Sequence, residues 1–288
     1  MRITSWNLLH GQGATNFRAI ANTLDVGRSD FVIGVQEVDA FQDRSDQVFQ
    51  VADLASELAA TYFGFVRCVI GTPGFKWRKV RKGEAVLITN SDLMNSGRNS
   101  DNSPSYGIGL ITNVPVTKWE ILALGKSVVG LPLVFPAGSD GSDGSDGSDG
   151  SENNSSAESK AKPKLRFIYV KDEPRYAIAA QLENGYTVVN VHLSFVPLVN
   201  LYQLWRVKRW LAKMPGKHFL IGDLNLPFNI PVKLSKWKSL VSMASYPTWQ
   251  PKIQFDYILS DNTTSVAVRP IQIHSEISDH LPVTIEIN

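Results

Sequence analysis

Phe31-Val-Ile-Gly-Val35 offers no position that prefers water. A strand of this kind has to be covered on both faces. Phe219-Leu-Ile-Gly222 reads as the end of a second buried strand. A chain built on such strands needs further layers above and below them, so the feasible architectures are layered ones.

The rest of the chain supplies the layers. Strand patterns are predicted over residues 2–9, 62–70, 84–89, 106–112, 116–124, 165–170, 176–182, 186–191, 255–259 and 266–273, with a last strand stopping at Ile287. Asn113-Val-Pro115 predicts one hairpin and Asn184-Gly185 another. Helical spacing runs over residues 16–25, with Asn16 or Thr15 as N-cap. Val48, Val51, Leu54, Ala55 and Leu58 mark a second helix, and Asn200 to Met214 a third that carries Arg206, Lys208, Arg209 and Lys213. A short helix is expected around 235–244, and a polar loop over 90–105. Mixed hairpins and crossovers predict two layered sheets with helices outside, in one domain over 1–288.

One segment cannot contribute to a core. From Gly138 the triplet Gly-Ser-Asp repeats four times and passes into an Asn/Ser/Lys tail. With almost no apolar side chain it cannot offset the entropy of ordering, so 138–162 is expected to be a disordered insertion. Its aspartates, every third residue, match neither an EF-hand nor a nonapeptide calcium repeat. The segment holds six carboxylates and two lysines, net −4, so a chain of net charge +2 leaves +6 on the remainder. A mildly basic body suits a phosphorylated or polyanionic partner. The loop Phe75-Lys-Trp-Arg-Lys-Val-Arg-Lys82 interleaves aromatics with basic residues, as a nucleic-acid backbone and its bases require, although a solvated surface loop has the same composition.

Cys68 is the single cysteine, so no intrachain disulfide forms, which fits a reducing compartment. No apolar stretch approaches the ~18 residues of a transmembrane helix. The N-terminal residues lack the apolar region of a signal peptide. A cytoplasmic monomer is the resulting expectation.

The chemistry gathers where strands stop. Five strands are expected to end in a polar group, at Asn7, Glu37, His192, the Asp223/Asn225 pair and Asp279-His280, and Asp256 sits between Phe255 and Tyr257. Positions i and i+2 of an extended segment face the same way, so Asp223 and Asn225 are expected to project together. Singly, each has a structural reading: a turn cap, a solvated strand end, a satisfied core histidine. Together they place carboxylates, histidines and amides at strand ends with no Lys or Arg in the same motifs. Converging carboxylates repel unless a cation lies among them, and hard oxygen ligands suit Mg²⁺ or Mn²⁺.

At this point the motif set Ile3-Thr-Ser-Trp-Asn7, Gln36-Glu37-Val38, Val191-His192, Gly222-Asp-Leu-Asn225, Phe255-Asp256-Tyr257 and Ser278-Asp-His280 resembles that of the endonuclease/exonuclease/phosphatase (DNase I-like) superfamily, in the same order. The resemblance implies a four-layer α/β/β/α sandwich with two central mixed sheets. It implies Glu37 as the principal Mg²⁺ ligand, with Asn7 and Asp279 completing the metal and phosphate environment. It also implies an Asp256–His280 dyad, Asp223 on the attacking water, Asn225 on a non-bridging oxygen, and His192 on the pentacovalent phosphate or the leaving group. His280 would be the base or would steady the phosphoryl oxygen. Relatives commonly have Tyr-Gly-Asn where this chain has Tyr106-Gly107-Ile108, so the side chain that would support His192 there is missing. Arg44, Tyr106 and Trp77 are candidate substrate contacts, though Arg44 also reads as an exposed charge at a helix start. The implied activity is metal-dependent hydrolysis of a phosphodiester, with nucleic acid among the substrates. A small-molecule or lipid-headgroup phosphatase and an inactive phosphate-binding module are the alternatives.

Overall fold

The structure is a computed structural model that describes residues 1–9, 16–27, 29–95, 101–136, 165–261 and 267–287. The Gly-Ser-Asp segment lies outside the described residues.

Two large mixed sheets carry the fold. In the first, the order is β15 (Val268–Gln272), β16 (Val283–Ile287), β1 (Arg2–Asn7), β2 (Phe31–Ala40), β6 (Ser105–Thr112), β3 (Tyr62–Gly71) and β4 (Trp77–Arg78), with β5 (Leu87–Thr89) also paired to β3. In the second it is β13 (Lys238–Ser239), β14 (Asp256–Ser260), β12 (Lys217–Asp223), β11 (Tyr186–His192), β10 (Arg175–Leu182) and β7 (Val116–Gly125). β8 (Leu131–Pro136) and β9 (Leu165–Val170) form a separate ribbon.

Period-two alternation sends neighbouring residues of one strand into different cores. On β2, Ile33 and Val35 pack with α1 (Phe17–Leu24) and α2 (Gln50–Glu57) on the outside of the first sheet. Val32 faces inward, where it joins Ile178, Val188, Phe219, Ile221 and Ile258 from the second sheet. Ala177, Val189 and Leu220 face the other way, under Leu204, Val207 and Leu211 of α4 (Val199–Leu211). The layers are therefore α/β/β/α, as the fully apolar strands require. Asn16 caps α1, its side chain accepting from the Ala19 N–H at 3.1 Å.

One parallel pair in each sheet positions the polar ends. β1 and β2 run parallel with Asn7 opposite Gln36. β11 and β12 run parallel with His192 opposite Asp223. Antiparallel β14 then sets Asp256 opposite Asp223. Parallel neighbours need a crossover, and α1 and α4 lie in these two.

Asn190 joins the sheets. Its amide donates to the carbonyls of Val35 (3.0 Å) and Gly109 (2.8 Å), the pair at which the β2–β6 register breaks. Its oxygen accepts from Gln36 at 2.6 Å. The sheets approach so closely here that a Cβ on Gly34 would lie 2.7 Å from Ile221 Cδ1 and 2.8 Å from Asn190 Cγ.

Three local expectations differ from the structure. Asn113-Val-Pro115 closes no hairpin: β6 lies in the first sheet and β7 in the second. Val114 is buried between the sheets, and the Pro115 carbonyl already accepts from Glu183 N–H, so the chain has crossed over. The short helix is α5 (Ile230–Ser235), not 235–244. Pro231 suits its first turn, and Lys236, with φ 59°, ends it. Residues 90–95 form α3 (Asn90–Asn95) within the expected loop. Among the described residues no helix is long and apolar enough to cross a membrane.

Candidate active site

The strand ends meet on one edge of the sandwich. Between Val35 and Val38 the β2–β6 register shifts, and Glu37 takes φ 54°. This bulge turns the Glu37 carboxylate towards the end of β1, where Asn7 Nδ2 donates to Glu37 Oε1 at 3.0 Å. Asn7 also donates to Asp223 Oδ2 at 3.2 Å, across the seam between the sheets. His192 Nε2 lies 3.6 Å from Asp223 Oδ2 and 3.8 Å from Glu37 Oε1. His280 Nε2 is 3.9 Å from the same Asp223 oxygen. Its Nδ1 is 2.7 Å from Asp256 Oδ2, which also accepts from Ser245 Oγ at 2.6 Å. The His280 backbone is fixed too, because its carbonyl accepts from the indole N–H of fully buried Trp6 at 2.9 Å.

Burial sets the electrostatics. Desolvation raises the Glu37 carboxyl, and neighbouring Asp279 adds to this, while the Asn7 hydrogen bond opposes it. Desolvation also raises Asp223 to about 7, opposed by His280 and reinforced by Asp256. Burial works against charge on His280, but Asp256, with Asp223 and Asp279, outweighs it and pushes the imidazole up to about 10. Burial, Arg175 and His280 hold His192 well below its ordinary range. Ligand atoms of Asp223, Asp256 and His280 all lie within 4.8 Å of one another, a group that could hold a metal ion.

A stability effect follows from His280. Its folded pKa exceeds the ordinary value of 6.5, so its stabilising contribution is full below pH 6.5 and is lost towards pH 10. Urea titrations in EDTA are expected to show the unfolding free energy falling across that window, with the decline reduced in His280→Gln. A wild-type protein equally stable at pH 6.5 and 10 would contradict the Asp256–His280 ion pair.

A profile of the endonuclease/exonuclease/phosphatase family matches residues 4–280, which include every residue of this cluster. The chain belongs to the endonuclease/exonuclease/phosphatase family. Solved structures agree in fold. A family protein from Leptotrichia buccalis C-1013-b has a TM-score of 0.57 at 14% identity, covering 100% of this chain and 99% of that one. The mannosyl-6-phosphatase Bt3783 of Bacteroides thetaiotaomicron VPI-5482 has 0.55 at 13%, covering 100% and 99%. D. rerio TDP2, complexed with a single strand DNA product, has 0.53 at 14%, covering 100% and 98%. No curated protein matches the sequence.

Within this family frame, Asn7, Glu37, His192, Asp223, Asp256 and His280 are brought together as the motifs predict. Asp279 is half-buried beside them, and its carboxyl is raised by burial. Asn225 does not simply share a face with Asp223. At φ 48° it turns back, its N–H donating to Asp223 Oδ1 (2.9 Å) and its amide to Leu193 O (3.0 Å). It therefore braces Asp223 and ties it to the loop after His192. The Arg44 guanidinium is bound through two nitrogens to Asp39 (2.8 and 2.9 Å) and lies over the buried Tyr106 ring. Tyr106 stands opposite Asp39 in the β2–β6 ladder, two residues from Glu37, so the Arg44 and Tyr106 side chains both lie on the flank of the cluster. Trp77 stands further out on edge strand β4, under Lys126 at 5.7 Å.

Sequence reasoning missed Ser245, Tyr246 and Arg175. Ser245 bonds Asp256, and the Tyr246 ring lies 4.9 Å from that of His280. Arg175, Asp172 and Glu173 form a buried ionic group at the start of β10. The only trace in the sequence is a charged stretch, Lys171-Asp-Glu-Pro-Arg175, running straight into an apolar strand.

Proposed function

We propose that this protein is a divalent-metal-dependent phosphoesterase that hydrolyses a phosphodiester by attack of water at phosphorus. One observation carries the reading: Asp223, Asp256 and His280 offer ligand atoms within 4.8 Å of one another, Asn7 links Asp223 to Glu37, and neither Glu37 nor Asp223 pairs with a Lys or Arg among the described residues. Hard oxygen donors of this kind suit a divalent cation. Glu37, Asn7 and Asp279, with Asp223 alongside, would hold Mg²⁺ or Mn²⁺. When bound, such an ion neutralises charge on the phosphate and polarises the phosphoryl oxygen.

The chain's own groups divide the remaining work. Asp223, raised to about 7, is poised to take a proton from water near neutral pH. His280, held protonated by Asp256, is better suited to donate to a phosphoryl oxygen than to act as a base. His192 Nε2 faces the same space from the other side. Asn225 fixes the Asp223 carboxylate.

A diester substrate, with nucleic acid foremost, is favoured by the +6 body and by Lys76, Lys79, Arg81 and Lys82, which are exposed on the loop around β4. β3 runs parallel in direction to β2, so this loop leaves the sandwich on the edge where Glu37 stands. The similar folds include both a sugar phosphatase and a protein bound to a DNA product, so monoester and diester probes belong in one experiment. Release of nitrophenol from bis-p-nitrophenyl phosphate and p-nitrophenyl phosphate is measured with Mg²⁺, Mn²⁺ or EDTA. Metal-dependent release, greater on the diester and lost in His280→Ala, is the expected result. No release, together with no Mg²⁺ binding by calorimetry, would overturn the proposal. The single cysteine, buried Cys68, is in keeping with a cytoplasmic protein.

A further inference from the structure

We propose that Arg175 is a positioning residue that fixes His192 as an imidazole protonated on Nε2 alone. His192 then acts on the substrate purely as a hydrogen-bond donor. It does not ligate the metal through Nε2, and it does not deliver a proton to the leaving group.

The inference starts from hydrogen-bond chemistry. Arg175 Nη1 lies 2.9 Å from His192 Nδ1. A guanidinium has five N–H donors and no acceptor. Nδ1 must therefore supply the lone pair, and the single ring proton resides on Nε2. An imidazolium would set an N–H of its own against the N–H of arginine. Nε2 is the nitrogen that faces Asp223 (3.6 Å) and Glu37 (3.8 Å), where the phosphate would be handled.

The surroundings hold this polarity. Both side chains are 6% exposed, so water does not replace the contact. Asp172 and Glu173 flank the guanidinium at 3.6 and 3.4 Å and keep it from turning away. Asp172 is itself anchored by Ser194 Oγ (2.8 Å) and Ser127 N–H (2.6 Å). The other histidine makes the comparison within the same site. His280 Nδ1 meets the Asp256 carboxylate, an acceptor, and so carries a proton there. The two imidazoles therefore have opposite hydrogen-bonding polarity at Nδ1, set by a cation in one case and an anion in the other.

The catalytic consequence rests on the phosphoesterase reading; the tautomer does not. As the water oxygen bonds to phosphorus, its proton passes to Asp223. The ester P–O bond breaks, and the leaving oxygen departs with the electron pair, takes a hydrogen bond from Nε2–H, and receives its proton from solvent.

The test is a ¹H–¹⁵N long-range correlation spectrum of the full-length protein labelled in histidine, with His192 assigned by its absence in His192→Gln. The expected His192 pattern is an unprotonated Nδ1 and a protonated Nε2 near pH 7, both with and without Mg²⁺. Arg175→Lys, which keeps a donor-only cation, should retain the pattern. Arg175→Met should lose it, and should lower kcat roughly tenfold to a hundredfold with KM little changed. A wild-type spectrum with a proton on His192 Nδ1 overturns the inference, and it does so even if the variants fail to fold. If no phosphoester is hydrolysed, the spectrum still tests Arg175. If hydrolysis is found with a protonated Nδ1, this inference fails and the phosphoesterase reading stands.

Discussion

Replacing Asp223 by asparagine is expected to lower phosphoester hydrolysis roughly 10²–10⁴-fold while changing the stability of the folded state at pH 8 by no more than about 1 kcal/mol. The two effects have one origin. The carboxyl is almost completely buried and its pKa is raised to about 7. A carboxyl raised in the folded state stabilises at low pH and loses that contribution as pH rises through the folded value. At pH 8 its charge is a burden on the fold. The carboxamide introduced by Asp223→Asn would keep an oxygen for the Asn225 N–H, now at 2.9 Å, and remove the charge, which offsets the loss of the oxygen that accepts from Asn7 at 3.2 Å. It could not take a proton from water. Initial rates and urea midpoints on the same preparation check both halves. Loss of activity with a large loss of stability would make Asp223 a structural residue, and unchanged activity would remove it as the base.

The second large effect is expected at Gly222, one residue earlier. Its φ is 141°, and a Cβ there would lie 1.9 Å from the Val191 carbonyl oxygen. That oxygen belongs to β11, the parallel partner of β12, and cannot move aside as a flexible side chain would. Gly222→Ala must force the two strands apart at the point where His192 and Asp223 are set side by side. A destabilisation of roughly 3 kcal/mol or more is expected, with activity lost even in the fraction that folds. Gly185→Ala is the control. It also has positive φ, 83°, but its Cβ would meet open space, so only the left-handed backbone cost of roughly 1–2 kcal/mol applies. Equal losses at both positions would show that close approach to Val191 contributes nothing.

The sequence was informative where the physics is local. Fully apolar runs specified β2 and β12, and polar residues placed directly after such runs specified Glu37 and Asp223. The Asn184-Gly185 turn gives the β10–β11 hairpin, because that signal is complete within a few residues. What spans the chain was less legible. The link through Asn113-Val-Pro115 looks like a hairpin turn, yet it carries the chain from one sheet to the other, and local composition does not encode that choice. Arg175 escaped notice because its partners, His192, Asp172 and Glu173, are assembled by the fold. Ser245 was invisible for the same reason: one serine in a loop carries no pattern until Asp256 is placed beside it. The fate of Asn225 depended on a left-handed backbone angle that periodicity does not report.

The seam between the sheets has a wider consequence. Asn7 and Glu37 are mounted on one sheet, and His192, Asp223 and Asp256 on the other. The thickness of the apolar filling is thus one of the dimensions of the candidate site. Ile221, Val32 and Val188 touch no substrate, yet they set how far apart the two halves of the machinery stand. A methylene added or removed there would change that spacing as well as the stability of the core. Relatives that keep every polar motif could in this way drift in rate or substrate size through their oil alone.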